Sequence, residues 1–337
     1  MAESKRKGTI NLTNINIEQI AQEFTQQLDR WYSMPEQYDN ELDRQIHQWY
    51  ANPPQVWPKR PYFSPSNSKA CPRELYVKAK RAKKDSFPKP PYQGRWQEIG
   101  TAIGDVIQRT ILAMERNLPG CPFRFERNAD GTPVFEDFAK KNHEITHKGQ
   151  RFYLYGTCDG VMQYINEDGE IIRVGLEIKS KQSTPAKTSL YSFKEAEEGH
   201  RQQCVAYSIM YDVDYYIILY VNTAKKAWVM SDEDYAATPD IRAFGFEITD
   251  ADREALLDNF AEITRCINND TPPAIDLSRW TFNNFKTACA LSLSEDEYET
   301  LQAQVSRAMR SGLSQRTKEQ YYEAFEFIRE VREKEAV

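Results

Sequence analysis

Hydrophobic positions near the start of the chain follow a helical spacing. Residues 17–32 (IEQIAQEFTQQLDRWY) and 41–50 (ELDRQIHQWY) carry apolar side chains three and four positions apart, which predicts a pair of amphipathic helices. Residues 97–115 repeat isoleucine at every fourth position and predict a further helix. Five prolines between residues 51 and 68 predict an extended connection in between.

The middle third of the chain changes to the spacing of β-strands. Residues 151–165 and 171–180, joined by the turn sequence NEDGE, predict a β-hairpin. The elements predicted after this hairpin are a helix over 191–212, strands over 213–222, 227–231 and 244–249, and a helix over 250–270. The order predicts an α/β core over about 95–270, with helical segments on both sides.

Length and composition limit the class of protein. A chain of 337 residues forms one large domain with elaborations, or two domains. No apolar run approaches the roughly 20 residues of a membrane span, and residues 1–14 lack the apolar stretch of a secretory signal. The six cysteines are scattered without a C-x-x-C pair, which indicates reduced thiols. We therefore expect a cytosol-like compartment, without a membrane partner.

Basic residues are concentrated in the segment from Arg73 to Arg95, although the net charge of the chain is -6. The segment holds eight basic and two acidic residues, with aromatic residues between them. Such a mixture binds phosphates and stacks on bases, but it is also typical of an ordinary solvated surface. The basic residues considered as DNA contacts are Arg73, Lys78, Arg81 and Arg95.

The sequence GLEIKSK places Glu177 and Lys179 on one face of the second hairpin strand, with Ile178 on the other. Asp159 begins the partner strand, so the hairpin brings it beside Glu177. Two carboxylates and the Ile178 carbonyl oxygen form a set of ligands suited to Mg²⁺ or Mn²⁺. Lys179 would orient or deprotonate a water and stabilise charge at a phosphorus atom. The alternative is a cross-strand ion pair on an open sheet, which has no catalytic role.

Asp159 followed 18 residues later by Glu177-Ile178-Lys179 resembles the PD-(D/E)XK nuclease superfamily, although Cys158 stands where the family has proline. Gln203 and Tyr207, four residues apart on a predicted helix, resemble the Q-x-x-x-Y motif of the RecB-like branch. By this resemblance, both line the active site and hold the substrate strand, and His200, one turn earlier, contacts DNA.

The first motif of the RecB-like branch, G-x-x-x-H, is incomplete. Gly100 matches it, but Gly104 stands at the position of the metal-binding histidine. Asp105 or Glu98 is a candidate replacement for the missing ligand, and a site with fewer protein ligands is the alternative. Alternatively, Asp105 is a helix residue that faces solvent and has no role in the site.

The segment YFSPSNSKACPRELY resembles one that contributes the first cysteine of an iron–sulfur cluster in several nucleases of this branch. If Cys71 and Cys289 correspond to the first and last ligands, Trp280 and Asn283 occupy the other two positions. Four cysteines are needed, so we expect no iron–sulfur cluster. Cys71 and Cys289 are nevertheless expected to lie close together.

The resemblance implies a restriction-endonuclease-like α/β core, a mixed central sheet flanked by helices, with helical N- and C-terminal extensions. The expected divisions are 1–60, 61–290 and 291–337. The implied activity is that of a Mg²⁺- or Mn²⁺-dependent DNA exonuclease of phage or mobile-element recombination. The location that this implies is the bacterial cytoplasm or the cytoplasm of an infected host. An inactive DNA-binding module and an endonuclease with the same core stay open, as do a single-strand annealing partner and a homo-oligomer.

Overall fold

The structure is a computed structural model, and it describes residues 15–335. The expectation about a signal sequence at residues 1–14 lies outside this range. The helices are α1 (Ile17–Tyr32), α2 (Asn40–Ala51), α3 (Pro72–Ala79), α4 (Pro91–Asn117), α5 (Glu136–Ala139), α6 (Glu198–Tyr211), α7 (Asp232–Ala237), α8 (Asp250–Asn268), α9 (Lys286–Leu291), α10 (Glu295–Arg310) and α11 (Gln315–Glu335). The strands are β1 (Tyr62–Phe63), β2 (Phe123–Phe125), β3 (Lys141–His147), β4 (Gln150–Gly156), β5 (Gly160–Ile165), β6 (Ile171–Lys181), β7 (Tyr215–Asn222) and β8 (Ile241–Glu247).

Two mixed sheets form the centre of the fold. The larger sheet has the order β2-β5-β6-β7-β8, in which β6 and β7 are parallel and the other pairs are antiparallel. The smaller sheet has the order β1-β4-β3, with β1 parallel to β4. The predicted α/β class, with a mixed central sheet flanked by helices, is confirmed.

Side chains that alternate along the central strands supply two separate cores. One face of the sheet, which includes Ile178, Ile217 and Leu219, packs against α1, α2 and α4. The opposite face, which includes Ile218 and Tyr220, packs against α6, α8 and the smaller sheet. This arrangement follows from the two-residue period of a strand, and it leaves β6 between helices on both sides.

The hairpin of β5 and β6 forms as the sequence predicts, with Gly160 opposite Leu176. Its turn is closed by Asn166, whose side-chain oxygen accepts a hydrogen bond from the backbone N–H of Glu170 at 2.7 Å. Gly169 has a φ of 79°, which glycine adopts without the steric cost of a side chain. The first predicted strand is divided, because residues 150–156 belong to the smaller sheet.

Two predicted elements differ from the structure. Residues 227–231 do not form a strand, and β8 pairs with β7 in their place. Trp228 and Val229 are exposed, so this segment has no buried face of the kind that stabilises a strand. The predicted helix over 191–212 begins only at Glu198. Phe193, in the non-helical segment before it, packs edge-on against Tyr220 and Phe244.

The terminal helices pack against the core. Helix α1 lies against β7 and β8, and α10 and α11 share a third hydrophobic cluster with α3 and the end of α8. The domain boundaries at residues 60 and 290 stay a prediction. Within residues 15–335, none of the helices combines the length and apolar character that crossing a membrane requires.

Arg73 joins the third cluster to the core. Its side chain is fully buried and donates hydrogen bonds to the carbonyl oxygens of Pro273, at 2.5 Å, and Ser292, at 2.8 Å. It also forms an ion pair with Glu297. A guanidinium held in this way cannot reach a DNA phosphate, so the expected phosphate contact of Arg73 is corrected to a structural one.

We expect Arg73→Met to lower the free energy of unfolding by about 3–5 kcal/mol, because it leaves buried carbonyl groups and Glu297 without their partner. Urea unfolding of the full chain measures this change. Arg316→Ala, at an exposed position in α11, is the matched control and should change stability by less than about 0.5 kcal/mol. Equal stability of the two variants would contradict the structural role of Arg73.

Candidate active site

The hairpin places Asp159 beside the middle of β6. The Oδ2 atom of Asp159 accepts a hydrogen bond from the backbone N–H of Ile178 at 2.6 Å. Gln108 of α4 donates from Nε2 to the Asp159 carbonyl oxygen at 2.9 Å. A Cβ atom at Gly160 would lie 2.5 Å from the Phe125 ring, so only glycine allows this close approach. The position of Asp159 is therefore fixed from three sides.

Glu177 and Lys179 form the ion pair that their spacing on the strand predicts. Lys179 Nζ lies 2.5 Å from Glu177 Oε1. The Glu177 side chain is only 1% exposed, and its Oε2 atom has no hydrogen-bond partner among the described residues. A buried carboxylate oxygen without a partner is costly, so this oxygen is suited to bind a cation or a donor from outside the chain.

The electrostatics of the site disfavour the state in which both carboxylates are ionised. Burial, followed by the nearby Glu177 charge, raises the pKa of Asp159 to about 8. Burial also raises the pKa of Glu177, and Lys179 partly offsets this effect. Burial works against the charged form of Lys179, but the Glu177 carboxylate outweighs it and raises the pKa of that ammonium. A divalent cation would favour the ionised form of both acids.

Helix α6 forms the wall of the site above Lys179. Gln203 accepts a hydrogen bond from Lys179 Nζ at 3.1 Å through its Oε1 atom and donates from Nε2 to the Tyr207 hydroxyl at 3.2 Å. Gln203 thus fixes the direction of the ammonium group, and its own amide is fixed in turn by Tyr207. The structure brings together Asp159, Glu177, Lys179, Gln203 and Tyr207.

His200 lies one turn earlier on α6, and its Nδ1 atom is 2.9 Å from the Tyr220 hydroxyl. Burial, followed by the Lys179 charge, lowers the pKa of His200 to about 4. The imidazole is therefore neutral at physiological pH, and a contact between His200 and DNA would be a hydrogen bond and not an ion pair. Lys181 lies nearby, pairs with Glu197 and is close to the ring of Tyr220.

Asp105 lies on α4 and is exposed. It lines a cavity of about 210 Å³ with His47, Tyr50, Gln108 and Arg109. Asp105 is therefore on the α4 side of the site, whereas Glu177 and Lys179 face α6.

Glu136 is a neighbouring carboxylate that the sequence analysis missed. Tyr50 donates a hydrogen bond to its Oε2 atom at 3.1 Å. Burial raises the pKa of Glu136, and the charges of Asp105 and Asp159 raise it further. No motif marks this residue, since it follows a loop and has a φ of 44°, in the left-handed region that few non-glycine residues adopt.

The expected DNA contacts other than Arg73 lie nearer the surface. Lys78 is partly buried, with its Nζ atom 5.3 Å from the centre of the Tyr62 ring, and burial lowers its pKa. Arg81 follows the end of α3, and Arg95 lies in the first turns of α4; both are exposed. Arg81 and Arg95 are thus accessible to a phosphate, and Lys78 is accessible in part.

Cys71 and Cys289 lie in the same region of the fold. Both are buried, and burial and the nearby Cys71 raise the pKa of the Cys289 thiol to about 12. Asn283 Nδ2 lies 3.5 Å from Cys289 Sγ, and Trp280 belongs to the same hydrophobic cluster. The absence of an iron–sulfur cluster stays a prediction.

The chemistry of the donors fits a divalent cation at Asp159 and Glu177, because the unpaired Glu177 oxygen is buried beside a second carboxylate. A different group, His147, Glu254 and Asp258, also could hold a metal, since its ligand atoms lie within 4.8 Å of one another. Asp258 already pairs with Lys148. This group joins β3 to α8 and contains none of the residues described above.

Comparison with known proteins gives distant similarities. The sequence matches no protein-family model and no curated protein. Among solved structures, the chain is similar to SSO0001, with 16% identity and a TM-score of 0.37 over 75% of this chain and 95% of that chain. It is also similar to an alkaline exonuclease (LHK-Exo) from Laribacter hongkongensis, with 12% identity and a TM-score of 0.37 over 62% of this chain and 90% of that chain. At these scores, neither similarity assigns a function to the chain.

The raised pKa of Asp159 predicts how stability depends on pH. Between its ordinary pKa of 3.8 and about 8, the folded state keeps a proton that the unfolded state has lost. The free energy of unfolding of the metal-free protein should therefore fall as pH rises through this range. Asp159→Asn should reduce this slope and raise Tm at pH 8 in EDTA, by about 2–4 °C per kcal/mol.

Thermal unfolding between pH 4 and pH 8, with EDTA or Mn²⁺, measures both effects. Mn²⁺ should raise the Tm of the native protein at pH 8 more than that of Asp159→Asn. Asp168→Asn changes an exposed aspartate in the turn of the same hairpin and should behave as the native protein does. A pH slope unchanged by Asp159→Asn would show that this carboxyl is not the group responsible.

Proposed function

We propose that the chain is a Mg²⁺- or Mn²⁺-dependent DNA exonuclease that hydrolyses phosphodiester bonds. The observation that carries the proposal is the buried Glu177 carboxylate, which has one oxygen paired with Lys179 and the other unpaired, beside Asp159. A purely structural ion pair gains nothing from a second acid and an unpaired oxygen. The order of Asp159, Glu177, Lys179, Gln203 and Tyr207 along the chain supports the same assignment by resemblance.

Asp159, Glu177 and the carbonyl oxygen of Ile178 would hold the cation. Asp105 and Glu136 lie on the α4 side as additional acids. The cation, when bound, supplies Lewis-acid polarisation of a phosphate oxygen and lowers the pKa of a water.

Lys179 carries a raised pKa and is therefore an ammonium at neutral pH. It acts as a donor that orients the attacking water and stabilises negative charge on the phosphate. Gln203 keeps Nζ directed towards the site, and Tyr207 fixes Gln203. A role of Lys179 as general base is disfavoured, because a base must first lose its proton.

The exposed basic residues Arg81 and Arg95 are the proposed contacts to the DNA backbone, and His200 is proposed as a neutral hydrogen-bonding contact. Lys78 contributes to the extent that it is accessible. The preference for DNA, cleavage from an end and a role in phage or mobile-element recombination derive from the family resemblance. Partnership with a single-strand annealing protein and assembly into a homo-oligomer belong to the same proposal.

The first test is cleavage of linear and covalently closed circular DNA by the native protein in Mg²⁺, Mn²⁺ or EDTA. We expect degradation of linear DNA only, with either cation and not in EDTA. Cutting of closed circles would identify an endonuclease with the same core. Binding of DNA without cleavage under any condition would favour an inactive binding module, consistent with Gly104 at the expected histidine position.

Lys179→Ala should reduce the cleavage rate by about 10²–10³-fold, the range for removing a hydrogen-bond donor that stabilises negative charge in the transition state. Lys334→Ala, at an exposed position near the end of α11, is the matched control and should cleave at the native rate. Equal rates for the two variants would contradict the proposed site. Circular dichroism of both proteins separates loss of activity from loss of fold.

Gln203→Leu removes the amide that holds Lys179 while retaining similar volume. A hydrogen bond to a charged group contributes about 1.5–3 kcal/mol, so the cleavage rate should fall by about 10- to 100-fold. Gln202→Leu, at the adjacent position on α6, is the control, because among the described residues its amide bonds only Glu198. If both substitutions reduce the rate equally, the position of Lys179 does not depend on Gln203.

A further inference from the structure

Five residues of α4 repeat at every fourth position. Tyr92, Trp96, Gly100, Gly104 and Gln108 form this row, which we call the α4 row. Successive members lie about 40° apart around the helix axis, so the row winds by about 160° from Tyr92 to Gln108. At 1.5 Å per residue, the row is about 24 Å long, with two aromatic residues at one end and two glycines in the middle.

The α4 row runs alongside the carboxylate site. The carbonyl oxygen of Trp96 accepts a hydrogen bond from Gln182 Nε2 at 3.0 Å, and a Cβ atom at Gly100 would lie 3.3 Å from Ser180 Oγ. Both contacts are at the end of β6, immediately after Lys179. At the other end of the row, Gln108 is bonded to Asp159. The row therefore leads from the exposed start of α4 to the carboxylates.

The middle of the row is open. A Cβ atom at Gly104 would have no other atom within 4 Å among the described residues. Glycine within a helix costs roughly 1 kcal/mol relative to alanine, and no packing contact requires it here. Gly104 therefore leaves room for a ligand to approach the helix backbone closely, whereas Gly100 is packed against Ser180.

The first turns of α4 combine exposed rings with cations. Tyr92 is 60% exposed and Trp96 is 51% exposed. Lys83, Lys84 and Arg95 are exposed near them in sequence, and none forms an ion pair with a described residue. Exposed rings in a segment rich in exposed cations match a single-stranded nucleic acid, whose unpaired bases stack on rings and whose phosphates attract cations. The bases of a duplex are already stacked on one another and cannot use these rings.

We infer that the α4 row binds single-stranded nucleic acid and guides it to the site, with bases on Tyr92 and Trp96 and the backbone passing Gly104. The inference rests on the proposed function in one respect: the single strand that binds the α4 row is the substrate that the carboxylate site would cleave. Binding itself needs no catalysis, so it can be tested separately.

The test measures binding in EDTA, where no cleavage is expected. The probes are a fluorescein-labelled oligothymidylate and a blunt duplex of the same length, followed by fluorescence anisotropy at fixed salt. The native protein should bind the single strand at least about 10-fold more tightly than the duplex. Trp96→Ala and Tyr92→Ala should each weaken single-strand binding by about 5- to 150-fold and change duplex binding less. Trp96→Phe should retain most of the affinity.

Trp57→Ala is the matched control, because Trp57 is 77% exposed and lies in the loop before β1. Thermal melting establishes that every variant is folded. Equal affinity of the native protein for both probes, or equal single-strand binding by Trp96→Ala and Trp57→Ala, would overturn the inference. Single-strand binding that depends on Trp96, together with no cleavage in either cation, would retain the inference and reject the proposed nuclease.

Gly104→Leu tests the open part of the row. Leucine favours the helix over glycine and meets no neighbour at Cβ, so Tm should stay the same or rise. Cleavage of linear single strands should nevertheless fall by at least about 10-fold, because the side chain fills the open position on the proposed path. Native rates of single-strand cleavage in a folded Gly104→Leu protein would exclude the proposed path.

Discussion

The burial of Glu177 beside Asp159 is the constraint on which the arrangement of the site depends. Burying a carboxylate is expensive unless a cation or hydrogen bonds offset the cost. Lys179 offsets it at one oxygen only, and Asp159 adds a second negative charge at the same place. The pair is held in position by the register of β5 and β6, by the Ile178 N–H and by helices packed on both faces of the sheet.

The two faces of the sheet contribute different chemistry to this one position. Helix α6 provides Gln203, Tyr207 and the neutral His200 on the side of Lys179. Helix α4 provides the hydrogen bond from Gln108 to Asp159 and the open position at Gly104. A site built from rigid elements holds its groups more accurately than one built on loops.

The cluster of α3, α9, α10 and α11 has a structural role that the sequence analysis did not predict. Arg73 belongs to a basic segment of the sequence, yet its side chain is fully buried. It joins distant parts of the chain through hydrogen bonds to carbonyl oxygens and an ion pair with Glu297. Cys71 and Cys289 lie in this part of the fold, where Trp280 and Asn283 supply packing and a hydrogen bond to sulfur. Burial and local hydrogen bonds thus connect the C-terminal helices to the core.

The sequence by itself determined the hairpin, the helical spacing of Gln203 and Tyr207 and the common face of Glu177 and Lys179, because these relations depend only on local periodicity. The distances that join Lys179 to Gln203 and Ile178 to Asp159 agree with that expectation. Only the tertiary structure decided which charges are buried and which are free. It buried Arg73, left Arg95 exposed, brought Glu136 near Asp159 and placed β8 in the position predicted for residues 227–231. These outcomes depend on contacts between residues far apart in the chain, which periodicity and composition do not encode.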